Sequence, residues 1–277
     1  MVKRFILALV PMLLVLPFLF VISDETPSQK CARCHGDSEE FKEWKLSKHA
    51  QSLKILKEKG VKSLSCYRCH STRIEIPSDW SSGVQYTASD DPVSCYSCHR
   101  HDSGLPHNLK QPYDKLCGSC HIKDCACQGA DVIHQSHTEL LYGRGGFGVT
   151  NMPSVHLQVM RKGCVECHMN KAQKPPEGGV RKTGGHTFRS GYKVCLKCHQ
   201  NPQKRIDEAR KELQELLDKL KRALDKSPYK NSTDWKRAKY NYDFVKAERS
   251  LGVHNFSYSK ALLKHSLSLL SQLMWQK

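Results

Sequence analysis

The chain has 277 residues, with 44 Lys and Arg against 27 Asp and Glu, for a formal net charge of +17. Hydrophobic residues make up 39% and mean hydropathy is −0.57, which exclude a large conventional apolar core. Fourteen cysteines in so wet a chain point to disulfides, metals or a large apolar cofactor as the stabilising element.

In chain order, Lys3 and Arg4 precede an uncharged run over residues 5–22 that is rich in Leu, Val and Phe. About 18 residues is at the lower edge for a bilayer span and long for the apolar part of a signal peptide. Val21-Ile22-Ser23 offers a weak cleavage site, and Pro11 and Pro17 are compatible with either outcome. Residues 1–23 therefore read as a signal peptide or an N-terminal membrane anchor, with the rest of the chain outside the cytoplasm.

Residues 24–200 hold six copies of one pattern. They are Cys31-x-x-Cys34-His35, Cys66-x-x-Cys69-His70, Cys95-x-x-Cys98-His99, Cys117-x-x-Cys120-His121, Cys164-x-x-Cys167-His168 and Cys195-x-x-Cys198-His199. Cysteines three apart share one face of a helical turn, so both thiols reach the two vinyl groups of one porphyrin, and the next imidazole meets its iron. A zinc knuckle or a disulfide framework places no demand on the following residue, yet it is His every time. The pattern predicts six covalently bound haem c, with His35, His70, His99, His121, His168 and His199 as proximal iron ligands. Thioether attachment takes place outside the plasma membrane, which agrees with an exported, periplasmic or cell-surface chain. About 28 residues per motif means porphyrins in place of most of the core. Stretches such as Ile76-Pro77-Ser78-Asp79 and Lys174-Pro175-Pro176 read as loops joining short helical turns, with no strand pattern. Twelve ionised propionates would lower the charge to about +5, and six ferric irons return it to about +11. The remaining basic surface is either simply solvated or attracts acidic redox partners or anionic lipid; nucleic acid is excluded by location.

Residues 201–277 change texture. Ile206, Ala209, Leu213, Leu216, Leu217, Leu220 and Leu224 recur at helical spacing, and Pro228 follows. Ser232 or Thr233 can cap a second helix with Trp235, Ala238, Tyr242 and Val245 on one side, and Gly252 interrupts it. A third helix from about residue 257 to 275 carries Leu262, Leu263, Leu267, Leu270 and Met274. The predicted fold is mainly α with much irregular loop, a multihaem cytochrome c fold organised around haems, with a C-terminal long-helix hairpin or small bundle. That segment would cover haems or pair with a second copy in a homo-oligomer.

Nine further histidines are available as distal ligands: His49, His101, His107, His134, His137, His156, His186, His254 and His265. Trp44-Lys45-Leu46-Ser47-Lys48-His49-Ala50 resembles the W-x-x-S-x-H-A element of multihaem cytochromes. The family concerned comprises nitrifier tetrahaem cytochromes, ammonia-forming nitrite reductase and hydroxylamine oxidoreductase. Cys164 to Met169 with Gly185-His186-Thr187-Phe188 resembles that family's CxxCHM…HTF element. Gly252-Val253-His254-Asn255 with Tyr258 and Leu262-Leu263 is similar to its G-x-H-N segment. The resemblance implies distal ligation by His49, His186 and His254. From their own context His156, His137 and His107 are the next candidates. His134 competes with His137, since residues three apart on a helix share a face; His101 and His265 are expected at the surface.

The chain departs from the family's enzymes. No motif has Lys in place of its His, as the nitrite reductases do at the active haem, and none of the ten tyrosines can be assigned to the crosslink of the hydroxylamine-oxidising members. With no catalytic residue singled out, the expected role is an electron relay between redox partner proteins, such as a membrane quinol-oxidising complex and a terminal reductase in anaerobic respiration. A reductase of nitrite, hydroxylamine or a sulfur oxyanion at one open haem, and a conductive filament subunit, are the alternatives. Cys125 and Cys127, outside the motifs, are either incidental thiols or a ligand for iron, metal or sulfur.

Overall fold

The structure is a computed structural model that describes residues 25–61, 63–72, 91–123 and 133–275. The N-terminal apolar run, the loop at 76–79 and Cys125 and Cys127 lie outside the described residues.

Among the described residues, nine short helices occupy the motif region. They are α1 (Pro27–His35), α2 (Glu39–Lys45), α3 (Ser52–Glu58), α4 (Leu64–His70), α5 (Cys95–Cys98), α6 (Tyr113–Gly118), α7 (His137–Leu141), α8 (His156–Val159) and α9 (Cys164–His168). Three long ones follow: α10 (Pro202–Lys226), α11 (Thr233–Glu248) and α12 (Phe256–Trp275). There is no strand among the described residues, only a single bridge between His99 and Leu109.

Local chemistry explains the short helices. Thr26 and Gln29 form a reciprocal capping box at the start of α1, with Pro27 in its first turn, and Ser38 Oγ accepts from Phe41 N to start α2. The Cys-x-x-Cys pairs of the first, second, third and fifth motifs fall within α1, α4, α5 and α9, as spacing of three residues requires. Few apolar side chains are buried around them: Phe41, Trp44, Leu53, Leu56, Leu109 and Val194. Larger apolar residues such as Leu46, Phe147, Val155, Val159 and Leu196 are exposed in the bare polypeptide. A polypeptide of this length with so thin a core needs apolar mass from elsewhere.

The continuous core belongs to the last third. Leu213, Leu217, Leu220 and Leu224 form the inner stripe of α10, against Ala238, Phe244 and Val245 of α11 and Tyr258, Leu262, Leu263 and Leu270 of α12. Ser232 caps α11 by accepting from Trp235 N, and the helix stops where Arg249 turns left-handed at φ +66°. Met274, expected on the same side of the helix as Leu262 and Leu270, is instead exposed in the last turn of α12.

The bundle also holds down part of the motif region. Asn255 Nδ2 donates to the carbonyls of Leu140 (3.0 Å) and Met152 (2.7 Å), and Ser136 Oγ donates to Phe244 O at 2.6 Å. Asn241 clasps the Phe147 backbone from both sides at 2.8 and 3.0 Å. Gly148, at φ +77°, passes so close to His265 that a Cβ would collide with the ring. Truncating Leu220, which is fully buried, to Ala should cost about 2–5 kcal/mol. Thermal unfolding of the haem-loaded protein, followed by far-UV circular dichroism, would show it, with Leu196→Ala as an exposed control.

Candidate functional site

Six histidine pairs define the site. Each proximal imidazole has another ring centre at 6.1–6.4 Å, and His121 has a second, closer neighbour: His35 and His101 have ring centres 6.4 Å apart, His70 and His134 6.2 Å, and His99 and His186 6.1 Å. His121 and His49 are 6.1 Å apart, His168 and His254 6.1 Å, and His199 and His156 6.2 Å. Metal–imidazole bonds of about 2.0–2.1 Å, with roughly 1.1 Å from nitrogen to ring centre, put two axial imidazoles about 6.2 Å apart. The pairs therefore have the gap that one iron between two nitrogens requires. Among the described residues no group of three or more His, Cys, Asp or Glu side chains converges as a metal cage.

Hydrogen bonding prepares the rings for ligation. His99 Nδ1 meets the His107 carbonyl at 2.9 Å, His168 Nδ1 the Phe188 carbonyl at 3.0 Å and His121 Nδ1 the Gln135 side-chain oxygen at 3.2 Å. A ring that donates from Nδ1 presents its Nε2 lone pair, the tautomer a metal needs. Burial pushes His49 and His186 down to about 4, helped by neighbouring imidazoles, and lowers His134, His156 and His168, so these rings stay neutral. All twelve motif cysteines are unbridged. Burial drives the Cys98 and Cys167 thiols up to about 11, an environment that favours a neutral sulfur, as in a thioether. Together the paired rings, their hydrogen bonds and the unbridged cysteines fit haem c.

The three family-like elements each deliver a ring. Trp44 Nε1 donates to Val93 O at 2.9 Å, and buried Ser47 caps the turn at His49–Gln51 by accepting from Ala50 N at 3.2 Å. Ser52 then donates to His70 O and accepts from Val93 N, tying the His49 turn to the second and third motifs. The His186 turn is held by a buried ion pair. Glu43, fully buried on α2, accepts from Arg181 Nε at 2.8 Å and from His186 N at 2.7 Å. Arg181 also pairs with Glu39 at 2.7 Å, and Lys171 with Glu40 at 3.0 Å. Gly185, at φ +52°, leaves space that the Glu43 carboxylate fills. His254 reaches His168 from the turn after α11.

Two expected candidates sit differently. His107 contributes its carbonyl to His99, while its ring faces no proximal His at this distance. His137 lies between two pairs, 5.6 Å from His121 and 5.5 Å from His254, with its buried Nδ1 unpartnered. His101 and His134, by contrast, face His35 and His70. His101 follows its own motif by two residues, which hides its reach to the first. Ser28 and Asp91 provide that reach: Asp91 is fully buried and accepts from Ser28 N, Ser28 Oγ and Ser94 Oγ, clamping α1 against α5.

Comparison with known proteins follows this geometry. Residues 30–100, which contain the first three motifs and the His49 turn, match the family model described as cytochrome c554 and c-prime. The fold is similar to the crystal structure of the outer cell wall cytochrome OcwA, at 26% identity and a TM-score of 0.68, over 82% of this chain and 49% of that one. It is also similar to the undecahaem cytochrome from the S-layer of Carboxydothermus ferrireducens, at 20% identity and a TM-score of 0.63, over 81% of this chain and 40% of that one. The chain thus spans about half or less of either structure. No protein of curated function matches. In fold the chain is similar to multihaem c-type cytochromes, and residues 30–100 resemble cytochrome c554 in sequence.

Replacing Arg181 by Met leaves Glu43 buried without its cation, at an expected cost of about 3–5 kcal/mol. Denaturant unfolding should show this loss, and hydrogen exchange should show the turn at Gly185–Thr187 losing protection before α10.

Proposed function

We propose that the chain is a six-haem relay in which every iron is held by two imidazoles. The observation that carries this reading is the one-to-one pairing of six proximal with six other rings at 6.1–6.4 Å. The twelve motif cysteines would attach the porphyrins, and His101, His134, His186, His49, His254 and His156 would be the distal ligands of His35, His70, His99, His121, His168 and His199. His101 and His134 take the places that sequence context offered to His107 and His137. Haem c supplies a one-electron ferric–ferrous couple. Two strong-field imidazoles leave no open coordination position for a substrate, which disfavours the reductase reading.

Contacts among the motifs support an order in space. The sulfurs of Cys31 and Cys95, of Cys69 and Cys120, and of Cys117 and Cys164 lie within interaction reach of one another. Cys98 lies within electrostatic reach of Cys120, and Cys167 of Cys195. The motifs thus run first, third, fourth, fifth, sixth, with the second branching from the fourth. Exposed groups mark two ends: Cys34, His35 and His101 at the first motif, and Leu196, Lys197 and Cys198 at the sixth.

Around the sixth motif, residues 155–162 and 192–205 contain Arg161, Lys162, Lys193, Lys197, Lys204 and Arg205 and no carboxylate side chain. This cationic rim surrounds exposed Val155, Val159 and Leu196 and favours an acidic redox partner. The similar solved proteins are named for an outer cell wall and an S-layer, which supports an extracytoplasmic location. Among the described residues no helix is long and apolar enough to cross a membrane.

Two measurements test the reading. Intact mass and pyridine haemochrome assay should give six haems per chain, with a low-spin ferric EPR spectrum. His101→Ala or His134→Ala should convert about one iron in six to high spin, while His107→Ala and His265→Ala should not. A dominant high-spin signal in the unaltered protein would overturn the relay in favour of the reductase. Separately, Lys193→Glu with Lys197→Glu should slow reduction of ferricyanide severalfold at low salt and speed that of hexaammineruthenium(III), with both effects fading as salt rises. Charge reversal at Lys219 and Arg222 on α10 serves as the control.

A further inference from the structure

We propose that Glu248 is a tuning residue that makes the site between His168 and His254 more reducing than a neutral hydrogen-bond partner would. This inference rests on reading those two rings as an axial pair. Glu248 is the last residue of α11, and only 2% of it is exposed. One carboxylate oxygen is hydrogen-bonded with His254 Nδ1, and the other accepts from Ser250 N at 3.2 Å. The turn that follows fixes the ring. Arg249, Leu251 and Gly252 all have positive φ, and Ser250 Oγ accepts from Val253 N at 3.1 Å and His254 N at 3.4 Å.

Four other ligand rings meet weaker acceptors. His168, His99 and His70 face backbone carbonyls at Nδ1, at 3.0, 2.9 and 3.4 Å, and His121 faces an amide oxygen. A carboxylate draws the Nδ1 proton further from the ring than a carbonyl does, so the imidazole becomes a stronger electron donor to its metal. Its negative charge, held at low dielectric beside the site, also favours the ferric over the ferrous state. No cation competes within the ion pairs of the described residues: the partner of Glu248 is His254. Arg210 is engaged with the Ser250 carbonyl at 3.2 Å, and Arg249 is exposed. A carboxylate buried this completely is costly to keep ionised, and packing alone does not require one here.

The place in the chain gives the effect a consequence. The fifth motif lies between the fourth and sixth, so a more negative site there forms an energetic step between the branch and the cationic end. The fall-off of stability and the shift of a potential are separable by experiment.

Glu248→Gln preserves size and the hydrogen bond while removing the charge; Glu248→Asp keeps the charge. Spectroelectrochemical titration of the six-haem protein should show one component in six moving to a more positive potential in Glu248→Gln, and returning toward its original value in Glu248→Asp. All irons should stay low-spin, with six haems per chain. If no component moves, or one moves negative, while haem content and spin state are unchanged, the tuning role is overturned. EPR of His254→Ala separates the underlying reading: a new high-spin iron confirms His254 as a ligand, whereas a wholly low-spin spectrum removes the axial pair and the inference with it.

Discussion

The constraint on which the structure depends is the distance between opposed imidazoles. Six pairs of rings are held with their centres 6.1–6.4 Å apart, and few apolar side chains are buried around them. The chain meets the requirement with polar bonds to backbone. Ser47 caps the His49 turn, Ser52 ties it to His70 and Val93, Asp91 clamps α1 to α5, and Glu43 with Arg181 holds the His186 turn. Most of these groups are buried, where an unpaired polar atom is expensive, so the network is all-or-none in character. The buried Ser, Asp and Glu residues of the motif region do the work that aliphatic residues do elsewhere.

This division explains why the two ends of the chain look so different. The long helices α10, α11 and α12 are an ordinary apolar bundle, with heavily buried Leu, Phe and Tyr. They are more than a cover. Asn241, Asn255 and Tyr258 reach out of the bundle to the loop at residues 140–152, and the turn after α11 brings His254 to His168. Rigid packing in the bundle thereby sets the position of a ring on the motif side, through a chain of hydrogen bonds to main-chain atoms. The boundary near residue 200 is a change of texture in sequence, and contacts run across it.

The sequence made some of this legible and not the rest, for reasons of length scale. The Cys-x-x-Cys-His turns and the 3.6-residue stripe of α10 are local patterns, and both appear in place. The rings at His49, His186 and His254 came with short elements whose neighbouring residues hold them: Trp44 and Ser47, Thr187 and Phe188, Asn255. His101 and His134 have no such local signature. His134 lies in extended chain just ahead of α7, which begins at His137, so the two do not share a helical face and reach different neighbours. The Asp91 clamp that brings His101 to His35 joins residues 63 apart in sequence. Pairing across that separation is set by tertiary packing, to which periodicity and spacing are blind.

A polypeptide that spends its side chains on positioning has little left with which to define a binding pocket, and the described residues reflect that economy. In the proposed arrangement the ring pairs would close each metal position on both sides, and recognition would move from a cavity to the exposed edges of the first and sixth motifs. There, specificity has to come from charge and from small apolar contacts, which favour fast association and fast release over tight binding. Exposed Val155, Val159 and Leu196 within a rim of Lys and Arg have that character. In the proposed relay, the surface chemistry at those ends, more than any one buried residue, would decide what is connected.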